Sequence, residues 1–189
     1  ATKPMAAGIN LEEGRKHWSF QPISPPKAPT TRDSSWPRKD VDRFVLSKLE
    51  ATGLSPVEDA DIQTLVRRLS FDLTGLPPST QVLEKIKQPK PDSFIAEYVN
   101  ELLSSSAFGE RWARHWLDVA RYADSSGRGS NILFPHAWRY RDYVIHSFNQ
   151  DKPYNQFIRE QIAGDLLLAS SAADKNTNLI ATGFLSIGP

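Results

Sequence analysis

The sequence predicts an all-α protein: a single helical domain of about seven helices behind an extended, proline-rich N-terminal arm. Three observations lead there. From residue 40 onward, apolar residues recur at the i, i+3, i+4 spacing of a helix with one buried face. No stretch alternates apolar and polar residues with the period of two that marks a half-buried strand. Proline and glycine punctuate the chain at short intervals, which suits brief connections between antiparallel helical neighbours. The expected division is residues 1–37 as arm and 38–189 as helical domain. That domain is expected to continue past Pro189, because the run from Leu179 onward is apolar and Gly-rich where exposed chain ends are usually polar.

The arm holds six of the 14 prolines, Pro4, Pro22, Pro25, Pro26, Pro29 and Pro37. Proline locks φ and lacks an N–H, so Gln21 to Pro37 is predicted to be polyproline-like. Trp18 and Phe20 are the aromatics available to pin it to the body. The first helix takes Asp40 as N-cap, buries Val41, Phe44, Val45 and Leu49, and stops at Gly53. The second starts near Asp59 or Asp61, runs through Leu65, Val66, Leu69 and Leu73, and ends at Gly75 before Pro77-Pro78. Ser79 caps a third around Val82, Leu83 and Ile86. Asp92 opens a fourth that buries Phe94, Ile95, Tyr98, Val99, Leu102 and Leu103. The fifth spans Phe108 to Ala123, the sixth Pro135 to Asn149 and the seventh Tyr154 to Leu168, before a polar stretch rich in Ser, Ala, Asp and Asn.

Composition narrows the function classes. With 23 basic against 22 acidic residues and a net charge of +1, a strong electrostatic grip on nucleic acid or an anionic membrane is not expected. No apolar run approaches the roughly 18 residues of a transmembrane helix. Without cysteine the chain has no disulfide, Cys-ligated zinc, thiol nucleophile or haem attachment of its own.

The chemistry-bearing block is Phe108 to Asp165. It contains seven of the 13 arginines but one of the 10 lysines, and three of the four histidines. Arginine is preferred over lysine for fixed, bidentate contacts to planar anions, and its neighbours here are Trp112, Trp116 and Trp138. Two readings stand side by side: an anion pocket, or an ion-pair network that fastens helices. On the fifth helix Trp112, Trp116, Val119 and Ala123 share one face, and Arg111, His115, Asp118 and Tyr122 form the adjacent stripe. Asp118 can orient the His115 ring, which suits a base or a metal or haem ligand; the alternative is a core histidine. Asp124 lies just past the helix end, where a cationic partner or metal is favoured, in a loop that otherwise reads as a solvated turn. Trp138 with Arg141, Arg139 with Asp142, and Asp142 with His146 are helical neighbours, and Tyr122, Arg141 and Asp165 can converge between helices. There is no phosphate-cradling loop and no nucleophile elbow, and no residue is assigned a catalytic step.

The runs Trp36-Pro37, Val41-Asp-Arg-Phe-Val45, Arg67-Arg-Leu-Ser-Phe-Asp-Leu-Thr-Gly-Leu-Pro-Pro78, Gly109-Glu-Arg-Trp-Ala-Arg-His-Trp-Leu-Asp-Val-Ala-Arg-Tyr-Ala-Asp124, Trp138-Arg-Tyr-Arg-Asp142, Asn149 to Phe157 and Gln161-Ile-Ala-Gly-Asp-Leu-Leu167 carry a resemblance. They closely resemble a domain of unknown function in large secreted planctomycete proteins, one that usually follows a cytochrome c-like domain. The family pattern continues past Gly188-Pro189 into a Cys-x-x-Cys-His stretch like a c-type haem attachment, before which this sequence stops. Members often carry an acidic residue after Ala123-Asp124. Here the loop reads Ser125 to Asn131, so a metal or sugar site does not carry over to it.

The resemblance implies part of a secreted or periplasmic, c-type-haem-linked redox protein acting on complex polysaccharide, with the haem attached through residues outside this chain. Its expected partner is the remainder of the same protein or a cytochrome c domain. His115 is the first choice of iron ligand, with His136 and His146 behind it, and Arg111, Arg121, Arg139 and Arg141 are the propionate or anion partners. A second hypothesis is a glycan-binding or glycan-processing module in which Trp112, Trp116, Trp138 and Tyr122 stack on sugars and the arginines pair with sulfate or uronate. A third is a structural interaction scaffold without haem.

Overall fold

A computed structural model of the chain describes residues 10–89, 91, 93–126 and 132–186. Among the described residues there are nine α-helices and no strand: α1 (Leu11–Arg15), α2 (Asp40–Ala51), α3 (Ile62–Thr74), α4 (Thr80–Lys85), α5 (Phe94–Leu103), α6 (Ser106–Val119), α7 (Ala137–Asn149), α8 (Tyr154–Ala163) and α9 (Ala172–Ala181). Short 3-10 turns cover Trp18–Phe20, Gly164–Leu166 and Thr182–Leu185, and an isolated antiparallel bridge joins Ser125 to Leu133. The chain divides into two compact units, one up to Asp59 and one from Ala60.

In the first unit, the chain ahead of α2 is held by backbone contacts. The Glu50 carboxylate accepts the N–H groups of Arg32 at 2.9 and 3.0 Å and of Asp33 at 3.2 Å. The expected aromatic pins do not act as such: Trp18 is 80% exposed and Phe20 73%. The α2 N-terminus also differs from expectation. Asp40 is its first helical residue, and it is Asp42 that reaches back, accepting the N–H groups of Arg38 and Lys39 at 2.9 and 2.8 Å. Gly53 ends α2 as predicted, with φ of 73° and Leu54 N–H bonded to Leu49 O. The buried residue of α2 is Leu46, while Val41, Phe44 and Val45 are exposed. Spacing marked an apolar stripe, but packing turned a different side inward.

In the second unit, local caps set most helix bounds. Asp61 accepts the N–H of Thr64 at 2.9 Å, Gly75 stops α3 with φ of 70°, and Ser79 caps α4 at Val82. The expected opener of α5, Asp92, lies outside the described residues. One core gathers Val66, Val82, Ile86 and Tyr98 from α3, α4 and α5. A second gathers Ala113, Tyr140, Tyr143, Val144, Phe157 and Ala181 from α6 to α9.

Two helix ends and one additional helix depart from the sequence expectation. α6 ends at Val119 rather than Ala123, because Arg121 takes the left-handed conformation (φ 54°) and Tyr122 N–H closes back on Leu117 O. Val119 is accordingly exposed, and the buried side of α6 is Gly109 and Ala113, with Trp116 and Leu117 packed on the core. α8 ends at Ala163 in a 3-10 turn rather than reaching Leu168. The polar stretch after it holds a helix, α9, capped by Ser171 on Asp174 N–H. It docks because Gly164 is bare: a Cβ there would stand 2.1 Å from the backbone O of Asn178.

Candidate functional site

The expected site residues cluster on α6, α7 and the connection between them, so the fit of these two helices comes first. At Gly109 an added Cβ would lie 2.4 Å from Asn149 Cγ, which means that α6 and α7 meet closely there. Asn149 uses the proximity. Its Oδ1 accepts the Gly109 N–H at 2.8 Å and its Nδ2 donates to Ser106 O at 3.3 Å. An unsatisfied donor of the first turn of α6 is thereby capped from another helix.

The early end of α6 throws Tyr122 off the helical stripe and into a polar cluster. Its hydroxyl donates to Asp124 Oδ1 at 2.6 Å. Burial, then the hydrogen bond and charge of Asp124, pushes the phenol up to about 12. From α7, Arg141 donates through Nε and Nη2 to Asp142 Oδ1 at 3.0 and 2.9 Å. That hydrogen bond raises the guanidinium pKa, with Asp142, Tyr122 and Asp124 adding charge attraction. Tyr122, Asp124, Arg141 and Asp142 thus form one electrostatic group, joining Tyr122 and Arg141 as the sequence anticipated. Asp165 takes no part in it; it is exposed in the 3-10 turn after α8.

The other candidates are dispersed. Arg139 is exposed, with its guanidinium 5.6 Å over the ring of Trp138, itself 47% exposed. Arg111 is half-buried; its chain packs against Gly75, and its Nε is buried without a partner among the described residues. Arg121 and Asp118 are exposed. His115 is exposed and lies edge-on to Trp112 at 5.4 Å, and among the described residues no hydrogen bond joins it to Asp118. His136 is exposed just ahead of α7. His146 is exposed in an open groove of about 630 Å³ shared with Glu110, Arg141 and Asp142. Residues 127–131 of the polar loop lie outside the described residues.

These positions bear on haem. An axial ligand has to project between apolar walls, yet all three histidines of the block stand on the exposed surface. The aromatic-walled hollow of the unit, about 170 Å³ between Trp116, Phe148, Tyr154 and Phe157, has no histidine in its lining. Among the described residues, then, no histidine of the block stands between these apolar walls. Nor do three or more His, Cys, Asp or Glu gather among the described residues as a metal site.

The feature that sequence reasoning passed over is a buried polar layer between α7 and α8. Glu160 and Gln161 are 3% and 0% exposed. Glu160 Oε2 accepts from Tyr143 at 2.7 Å and from Lys152 at 2.5 Å, and Oε1 accepts from Gln156 at 2.8 Å. Burial alone would raise its pKa, but the hydrogen bonds from Lys152, Tyr143 and Gln156 outweigh burial and hold it below the ordinary glutamate range. Tyr143 is pushed up, by burial first and then by Glu160. Beside it, Gln161 Oε1 accepts from Tyr140 at 2.6 Å and from the Trp116 indole at 2.9 Å. A signal was available: Glu160 and Gln161 sit three and four residues after Phe157, on the core stripe of their own helix.

A family model described as "PSCyt2: Protein of unknown function (DUF1549)" matches residues 40–189, which takes in α2 to α9. No curated protein and no solved structure matches the chain.

Proposed function

The chain belongs to the PSCyt2 family of unknown function, and on that premise we propose that it is the binding part of an extracytoplasmic, c-type-haem-linked redox protein engaged with complex, anionic polysaccharide. The haem is carried by residues outside this chain. The resemblance to secreted, cytochrome-associated proteins supports the setting, and the family's name is in keeping with it.

The observation that carries the binding role is the Trp138–Arg139 pair on α7. The indole and the guanidinium stack 5.6 Å apart at the surface. Among the described residues Arg139 has no carboxylate partner, in contrast to Arg141, which Asp142 occupies. A guanidinium used only to cement helices would be paired and covered; this one is presented, backed by a ring that can pack on a sugar face.

Two measurements test the proposal. Sulfated oligosaccharide titrated into the protein in a calorimeter should bind, and Arg139→Ala should weaken binding about tenfold, the worth of one charge-assisted contact, with unchanged melting. Binding that is absent, or indifferent to Arg139, leaves the scaffold reading in its place. For the haem link, pyridine haemochrome of the protein isolated from its host should show c-type haem, and this chain expressed alone should show none.

A further inference from the structure

Where α7 turns into α8, four rings wall the hollow of about 170 Å³. They meet at steep angles. Trp116 stands edge-to-face with Phe157 (4.9 Å, 69°) and with Tyr154 (6.5 Å, 81°), and Phe148 stands so with Phe157 (6.1 Å, 62°). The steep angles make this wall a corner of rings rather than a flat sugar platform, and Trp116 and Tyr154 both border the hollow. The indole N–H of Trp116 is spent on Tyr140 and Gln161, so it offers no donor to the hollow.

Two charged residues are among its lining, Lys152 and Asp151. Lys152 is neutralised within the core: its ammonium is bound to Glu160 and lies 4.8 Å over the Tyr143 ring. Asp151 is exposed, and among the described residues its carboxylate has neither ion pair nor hydrogen bond. The unpaired charge of the lining is therefore negative. The Asp151 backbone takes a conformation that Asp and Asn adopt more readily than most residues. Asp151 follows α7 in the left-handed region, with φ of 48°, while Lys152 N–H closes on Ser147 O. Glycine would fill that helix-ending position without strain. Aspartate there places an acidic residue in the lining of the aromatic hollow.

We propose that this hollow binds an organic cation of the alkylammonium class, a quaternary or methylated ammonium head group. The faces of Trp116 and Tyr154 hold the cation and Asp151 pairs with its charge. An anion would meet an acidic residue and aromatic walls and is disfavoured. The site is separate from the Trp138–Arg139 surface and has the opposite charge preference, so each stands or falls without the other.

The test is a pair of titrations of the whole chain, followed by NMR. One uses choline and the other its uncharged tert-butyl analogue, in which a quaternary carbon replaces the nitrogen. Choline should bind about tenfold more tightly than the analogue, the span of a partly desolvated cation–π contact. Asp151→Asn should weaken choline severalfold and leave the analogue unchanged; Asn tolerates the left-handed region as Asp does, so the fold is kept. Tyr154→Ala, at a ring 69% exposed, should weaken choline without lowering the melting temperature. Equal binding of the two probes, binding of neither, or a neutral monosaccharide occupying the hollow in preference to choline each overturns the proposal.

Discussion

Truncating Glu160 to alanine is the perturbation whose cost can be worked most directly. The Glu160 side chain is 4% exposed and that of Lys152 13%. Removing the carboxylate strands three donors at once, on Lys152, Tyr143 and Gln156. Breaking a buried ion pair from one side costs about 3–5 kcal/mol, because the remaining charge stays out of water without compensation. Against a total stability of about 5–15 kcal/mol for a domain, Glu160→Ala should leave the helical unit marginal. Urea unfolding followed by circular dichroism reads the change in midpoint at constant slope. Exchanging both partners for apolar residues, Glu160→Leu with Lys152→Met, should recover most of the loss. The pH dependence carries the same reasoning. The folded-state pKa is lowered, so the stabilisation is complete above the ordinary glutamate value of 4.5 and is lost as the pH falls through the lowered value. Glu160→Gln should remove that part of the acid loss. A cost for Glu160→Ala under about 1 kcal/mol, the scale of a solvent-exposed pair, would refute the reasoning.

Two glycines give predictions of a steric kind. Gly109→Ala should destabilise by about 1–3 kcal/mol, since its Cβ would meet Asn149 at 2.4 Å, and the overpacking exceeds the helix-propensity gain of about 1 kcal/mol. Gly14→Ala, with nothing within 4 Å, is the control and should be neutral or slightly stabilising in the same denaturation assay. Gly164→Ala should loosen α9, since the obstacle at 2.1 Å is backbone and yields only if the helix moves. Faster amide exchange across Ala172–Ala181, with α3 and α5 unchanged, is the expected reading.

The legible parts of the fold were those decided by chemistry within one helical turn. Asp61 and Ser79 cap the N–H three residues ahead, and Gly53 and Gly75 stop helices by accepting positive φ. The errors fell where a local signal was absent or was outweighed by another. Arg121 takes the left-handed turn without being glycine, so α6 ended four residues early and Tyr122 left the stripe assigned to it. Helix α9 carries a readable cap at Ser171 but a polar composition that concealed it.

The sequence by itself determined the helical class, the arginine and tryptophan content of the α6–α7 region and most of the helix stops, since periodicity, composition and capping act over a few neighbouring residues. Tertiary structure decided which partners the inward-facing polar groups find. Glu160 finds Lys152 eight residues away and Tyr143 seventeen away, and a carboxylate is tolerable in a core only once packing has delivered its donors.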